Sequence, residues 1–395
     1  MSWLKEDKLI LKLSKLSLDE EAKNIIKNLN IEKINWDYFF NASKERGVFG
    51  LVYYHLKNEA EAVPYNIEKK FQDLYSENAS RNLILLKEFQ EVLKVLKDKE
   101  IPVIVLKGVY LLENIYKNIA LRGMSDIDIL IRKGYLEKFN NTVKKIGFTT
   151  PQDFKRYLNL ADSPYLNTIV YQKKRGKISV FLHLHWHIIN STIPMFEEVI
   201  KYINMHKIWE QALPVKITGI DVLSLSSHHQ IIYLCLHSFY HSLDRNILLC
   251  DISEFINANK DKIDWDLLLK DSFHFKLNRI VYSILYLAKS LLNTEIPHYV
   301  LSSLKPPCLS YGERKFINLV LDNAQFPKLS VISYLFMLSK LNKKLKFLIK
   351  TFFPKETVLE QRFSLSSNKS NFLRKIFRIG RGLKEVLVIL IRLFF

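Results

Sequence analysis

Two carboxylates stand two residues apart in the apolar run Gly123–Leu130, GMSDIDIL. Side chains alternate along a strand, so Asp126 and Asp128 share one face while Ile127, Ile129 and Ile131 share the other. Two acids on one face repel each other unless a cation lies between them. Such pairs are tolerated at metal sites and acid/base sites. A loop in which these acids only cap the next helix would not carry so apolar a flank. Upstream, the apolar run Ile101–Leu106 stops at Lys107-Gly108. Downstream, Phe181–His187 reads FLHLHWH, which puts His183, His185 and His187 on one strand face.

The elements that must position these residues can be read around them. Ser80–Lys99 is an amphipathic helix with Leu83, Leu86, Phe89, Val92 and Leu96 on one side. Ile101–Leu106 is a short strand, Val109–Tyr116 a helix opening at Gly108, and Asp126–Ile131 a second strand. Gly134–Ile146 is a helix stopped by Gly147. Tyr165–Gln172 and Lys177–Ile188 form two strands joined through Lys173–Gly176. The chain therefore divides into an N-terminal helical region (1–78), an α/β core (79–190), a helical domain (191–330) and a basic amphipathic tail (331–395). Asn35-Trp36-Asp37 and Asp264-Trp265-Asp266 read as two helix starts with the same capping chemistry. His237 and His241, four apart on a helix, read as packing residues, because no acid stands between them as in HExxH. Asp251, within an apolar helix, needs a backbone or cationic partner.

Composition narrows the class. The 395 residues are 48% hydrophobic and 25% charged, with only 11 Gly and 11 Pro. That describes a globular, mostly helical chain of two or three packed units. Cys235, Cys250 and Cys308 are an odd, sparse set with no CxxC spacing, which does not suggest a disulfide framework or a zinc site. The first residues, MSWLKEDKLILKLSKL, lack the uncharged stretch of a signal peptide. No uncharged segment reaches the roughly 18–20 residues of a membrane span. These features predict a cytoplasmic protein with reduced thiols.

The order helix, strand, Lys107-Gly108, helix, Arg122-Gly123-Met124-Ser125-Asp126-Ile127-Asp128, helix, hairpin, Leu184-His185-Trp186 resembles one known family. It is that of the uncharacterised bacterial nucleotidyltransferases of the polymerase-β-like superfamily. The resemblance extends more weakly from Ile34 through His237 and Asp251 to Asp266. It implies an α+β fold: a small mixed sheet with helices, flanked by helical regions at both ends. It implies Asp126 and Asp128 as ligands of Mg²⁺ or Mn²⁺. It implies a phosphate site at Lys107 and Gly108, with Arg122 and Ser125 beside it. The activity implied is transfer of a nucleoside monophosphate from an NTP to a hydroxyl acceptor, which could be a small molecule, a protein or RNA. The chemistry is coherent, because nucleotidyl transfer depends on metals that neutralise the triphosphate and on donors that orient it. Lys107 also reads as a solvated lysine after a strand, and Arg122 as the structural partner of an acid such as Asp126. By the same resemblance, His185 belongs to a structural His-Trp pair.

One departure matters. The family's third carboxylate falls two residues before the His-Trp pair, and that position is His183 here. No acid occurs between Lys177 and Asn190. Three readings follow. His183 serves as a catalytic ligand or base; the fold is a catalytically degenerate nucleotide-binding or scaffold protein; or a distant acid such as Asp162 reaches the site. A histidine-based transition-metal site on this strand is a further possibility.

Charge concentrates at the end of the chain. The formal net charge is +19, and residues 331–395 hold fourteen Lys/Arg against Glu356, Glu360 and Glu385. A basic surface implies an anionic partner, here RNA or an anionic membrane surface, unless lysine-rich composition alone accounts for it. The closing run Val386–Phe395 is apolar but short and contains Arg392, so it reads as packing or surface docking. An anionic partner predicts binding that falls steeply with added salt and disappears on deletion of 371–395. No binding at low salt ends that reading.

Overall fold

The structure is a computed structural model. It describes residues 3–352 apart from 28–32, 60–62, 151–153, 155–166, 191–193, 324–328 and 339. The expectations for Asp162 and for the tail beyond 352 lie outside the described residues.

Helices α1 (Lys5–Leu13), α2 (Glu20–Lys27), α3 (Trp36–Glu45) and α4 (Phe49–Glu59) come first. Asn35 Oδ1 accepts from the Tyr38 N–H at 3.1 Å, the cap its side chain predicts. The long helix α5 runs Tyr65–Asp98, well upstream of the expected start at Ser80. It buries Leu85, Leu86, Phe89, Val92, Leu93 and Leu96, while Leu83 stays 45% exposed. The apolar stripe thus lies slightly off the face read from spacing.

Six strands form one sheet in the order β3-β4-β2-β1-β6-β5. They are β1 (Ile104–Val105), β2 (Ile127–Leu130), β3 (Thr168–Arg175), β4 (Ile178–His185), β5 (Leu213–Ile217) and β6 (Ile220–Ser224). β2 runs antiparallel to β1 and parallel to β4, and β1 runs parallel to β6. Between β1 and β2, α6 (Lys107–Leu111) continues as a π-helical turn, Leu112–Tyr116. After β2 comes α7 (Leu136–Lys145), closed by Gly147 at φ +88°.

Two differences from the sequence reading have clear causes. The β3–β4 turn sits at Gly176-Lys177, past Lys173–Arg175. Lys173 pairs with Glu88 at 2.7 Å and Glu91 at 3.0 Å, and Arg175 pairs with both acids too. These ion pairs with α5 extend the basic end of β3 as strand. Residues 191–330 are not wholly helical, because β5 and β6 join the sheet there. Their two-residue turn, Thr218 at φ +49° and Gly219 at φ +81°, lies between Ile217 and Ile220 and is a hairpin signal.

The remaining described helices are α8 (Met205–Glu210), α9 (Ser227–Tyr240), α10 (Ile247–Asn259), α11 (Trp265–His274), α12 (Asn278–Leu292), α13 (His298–Leu304), α14 (Tyr311–Leu321), α15 (Leu329–Met337) and α16 (Leu341–Phe352). Asp264 caps α11 by accepting from the Leu267 N–H at 2.8 Å, repeating the chemistry of Asn35. One hydrophobic core spans Leu9 to Phe347. Cys235 and Cys250 are buried free thiols, and Cys308 is an exposed one. Among the described residues no helix is long and apolar enough to cross a membrane.

Helix α4 approaches the loop before β2 so closely that only glycine fits at position 50. A Cβ there would lie 2.5 Å from the carbonyl oxygens of Ala120 and Leu121. Both obstacles are backbone and cannot rotate away. Gly50→Ala is expected to cost about 1–3 kcal/mol, read as a lower midpoint in urea denaturation.

Candidate active site: an acid pair beneath a basic cleft

The parallel register of β2 and β4 builds the site. It sets Asp128 against His183 and Leu130 against His185, with Asp126 just ahead of the strand. Ile127 and Ile129 point to the opposite side and are fully buried. Asp126 and Asp128 therefore face the same way, as strand alternation requires.

Asp128 is the buried member of the pair, with its side chain 3% exposed, and Asp126 is the open one at 25%. His185 Nε2 lies 3.1 Å from Asp128 Oδ1. Lys107 Nζ lies 3.1 Å from Asp128 Oδ2, an ion pair whose geometry leaves that oxygen without a hydrogen bond. His183 Nδ1 sits 3.4 Å from Asp126 Oδ2 and 3.8 Å from Asp128 Oδ1. Ser125 Oγ donates to Asp126 Oδ1 at 2.8 Å. Burial would raise the Asp128 carboxyl, but the Lys107 charge and the two imidazoles hold it well below the usual carboxylate range. Burial pushes the His185 imidazole down against the pull of Asp128. Ligand atoms of Asp128, His183 and His185 lie within 4.8 Å of one another, close enough to share an ion.

Three sequence expectations change here. His187 does not join His183 and His185. β4 ends at His185, and His187 Nδ1 instead accepts from the Ile189 N–H at 3.0 Å, with burial pushing its imidazole down to about 4. Arg122 does not pair with Asp126. Its Nε and Nη2 donate to Asp251 at 2.8 and 2.7 Å, both groups buried, and Nη1 donates to the Gly123 carbonyl. The Tyr116 hydroxyl donates to the same Asp251 carboxylate at 2.9 Å. Asn82 and Asn78 then hold the carbonyls of Ile119, Arg122 and Ala120, so α5, α10 and the loop before β2 form one polar joint. Lys107 is not simply solvated, because its amine rests on Asp128. Its φ of +20° is a costly angle for a residue with a Cβ.

A cleft of about 490 Å³ opens over the acid pair, and His183 and His185 are not among the residues that line it. Lys107, Gly108, Arg122, Ser125, Asp126 and Asp128 all line it. The opposite walls contribute Lys44, Arg81, His237, His241 and Arg245, none of which the sequence reading placed at a site. His237 and His241 are cleft residues as well as helix residues, with ring centroids 4.6 Å apart. Burial pushes both imidazoles down, His237 the further, and Lys107 adds to it. The spacing His237, His241, Arg245 was the available signal. A Cβ on Gly108 would meet Arg122 and Met124 at 3.6 Å, ordinary contact, so the protein's own packing does not demand glycine there.

The profile of a family described as uncharacterised nucleotidyltransferase matches residues 32–293. The chain belongs to that family. The matched span takes in α3 through α12 and hence every strand and every cleft residue named above. The general kind of the protein is therefore a nucleotidyltransferase, on an α+β fold with a mixed sheet. No curated protein and no solved structure matches the chain.

The Arg122–Asp251 pair generates a stability prediction. Removing one partner of a buried ion pair leaves an uncompensated charge, so Asp251→Ala is expected to cost about 3–5 kcal/mol. Arg122→Met with Asp251→Leu is expected to recover most of that loss in the same urea titration. A single variant as stable as wild type would remove the joint's structural role.

Proposed function

We propose that the cleft binds a nucleoside triphosphate with a divalent cation and transfers a nucleoside monophosphate to a hydroxyl acceptor. The observation that carries this is the acid pair Asp126/Asp128 on one strand face, at the floor of a cleft walled by Lys44, Arg81, Lys107 and Arg245. Carboxylates below and cations around are what a metal-bound polyphosphate requires. Family membership supports the same general kind of chemistry.

The donor set fits a divalent ion. Asp128 Oδ1 and Asp126 Oδ2 both lie within 3.8 Å of His183 Nδ1, and Asp126 opens into the cleft. These two residues would hold the ion, with His183 Nδ1 beside both. A bound divalent ion would supply charge neutralisation at the phosphates and a more acidic acceptor hydroxyl. Oxygen ligands suit Mg²⁺, and the neighbouring imidazoles add affinity for Mn²⁺. Gly108 lets a phosphate approach the backbone, and Lys107 offers it a charge. In the transfer, the acceptor oxygen bonds to the α-phosphorus while the bond to the bridging oxygen breaks and pyrophosphate leaves. His183, half-exposed beside Asp126, would take the hydroxyl proton.

A second reading is favoured by one observation. His183, opposite Asp128 in the β2–β4 register, occupies the strand position where the resemblance expects an acid. In that reading the cleft binds nucleotide without turning it over.

Calorimetric titration of ATP, GTP, CTP and UTP, with and without Mg²⁺ or Mn²⁺, tests the site. Metal-dependent binding is expected, falling at least about tenfold, or about 1.4 kcal/mol, in Asp126→Asn/Asp128→Asn. Undiminished binding in that variant, with the fold intact by circular dichroism, overturns the assignment. Pyrophosphate release separates the two readings. Release by wild type with an acceptor removes the degenerate reading, whereas release only after His183→Asp or His183→Glu establishes it.

A further inference from the structure

A second cluster of metal-ligating side chains lies outside the cleft. The first turn of α9 and the middle of α11 bring His228, His229 and Asp271 together, and none of the three lines the cleft. Asp271 Oδ2 lies 3.1 Å from His229 Nε2 and 3.4 Å from His228 Nε2. The two imidazole centroids are 4.1 Å apart. Ser226 Oγ, 2.8 Å from His229 Nδ1, holds that ring from behind and aims Nε2 at the carboxylate. Both histidines are buried, and Asp271 is partly exposed.

Hydrogen bonding does not account for the group. One carboxylate oxygen faces two imidazole nitrogens, and the hydrogen bond it makes serves His229. His228 Nε2 is buried 3.4 Å from the same oxygen, without the geometry of a hydrogen bond. A buried polar atom without a full hydrogen bond is destabilising, and a cation shared by all three groups relieves it.

We propose that His228, His229 and Asp271 bind a Zn²⁺ ion. Zinc bonds to nitrogen and oxygen of about 2.0–2.2 Å, set tetrahedrally, place neighbouring ligand atoms about 3.3–3.6 Å apart. The two measured separations, 3.1 and 3.4 Å, are near that edge length. Two imidazoles with one carboxylate are a zinc donor set and a poor one for Mg²⁺. Ser226 plays the part of the outer partner that fixes the ring of a ligating histidine. A fourth position would be left to water. The ion clamps the start of α9 to α11. The same helix α9 carries His237 into the cleft, so the clamp steadies one cleft wall.

The test uses the full-length protein, stripped with a chelator and titrated with Zn²⁺, with Co²⁺ absorption as a second probe. Wild type is expected to bind one equivalent more than His228→Gln, a change that removes one imidazole ligand. Zn²⁺ is expected to raise the melting temperature of wild type and to raise that of His228→Gln less. Ser226→Ala is expected to weaken this equivalent about 10–100-fold. Asp271→Asn is a second ligand variant, and His228→Gln carries the test if it misfolds. Equal Zn²⁺ stoichiometry and affinity in wild type and folded His228→Gln overturns the proposal. So does an absence of Zn²⁺ binding, or binding lost only in His183→Ala/His185→Ala.

Discussion

Asp128 is a charge buried in the middle of a sheet, and its surroundings are arranged to make that tolerable. A bare carboxylate in such a place would be neutralised or expelled. Lys107 supplies a counter-charge from the adjoining α6, and His185 supplies a polar contact from the parallel strand β4. Both partners depend on the β1–β2–β4 arrangement. β1 leads into Lys107, and the β2–β4 register sets His183 and His185 on the acid face. A one-residue slip would turn that whole set to the other side of the sheet.

The second constraint is the joint around Arg122 and Asp251. It links the loop ahead of β2 to α10, and Asn78 and Asn82 link the same loop to α5. The loop ahead of β2 is thereby tied both to the N-terminal helices and to α10. The cleft is the space between these parts, and its cations come from all of them: Lys44 from α3, Arg81 from α5, Lys107 from α6 and Arg245 from the turn after α9. Helices far apart in sequence thus build a basic rim over an acidic floor. A metal-bound anion complements that pairing of charges.

Histidine gives the protein its particular character. His183 stands where an acid is expected, His185 touches Asp128, His237 and His241 face each other in the cleft, and His228 and His229 converge on Asp271. Burial lowers the proton affinity of His185, His229, His237 and His241, so these rings are neutral near pH 7 and have lone pairs to offer. A neutral imidazole is a ligand or a base, and it places no charge in a low-dielectric interior.

Much of this was legible in the sequence because strand alternation is local. DIDIL put Asp126 and Asp128 on one face, LHLH put His183 and His185 on one face, and Asn35 and Asp264 announced their helices by capping. Local periodicity could not report which strands are neighbours. The β2–β4 pairing, the choice of Asp251 over Asp126 as partner for Arg122, and the turning away of His187 are contacts between distant segments. The β5–β6 hairpin does carry a local signal, since Val215, Ile217, Ile220 and Val222 alternate with Lys216 and Asp221 about the Thr218-Gly219 turn, but which strand of the sheet it joins is again a long-range contact. Residue types and their spacing determined what chemistry the chain can offer. Tertiary structure decided which of those groups meet, because long-range pairing and burial, not sequence distance, set how strongly charges act on one another.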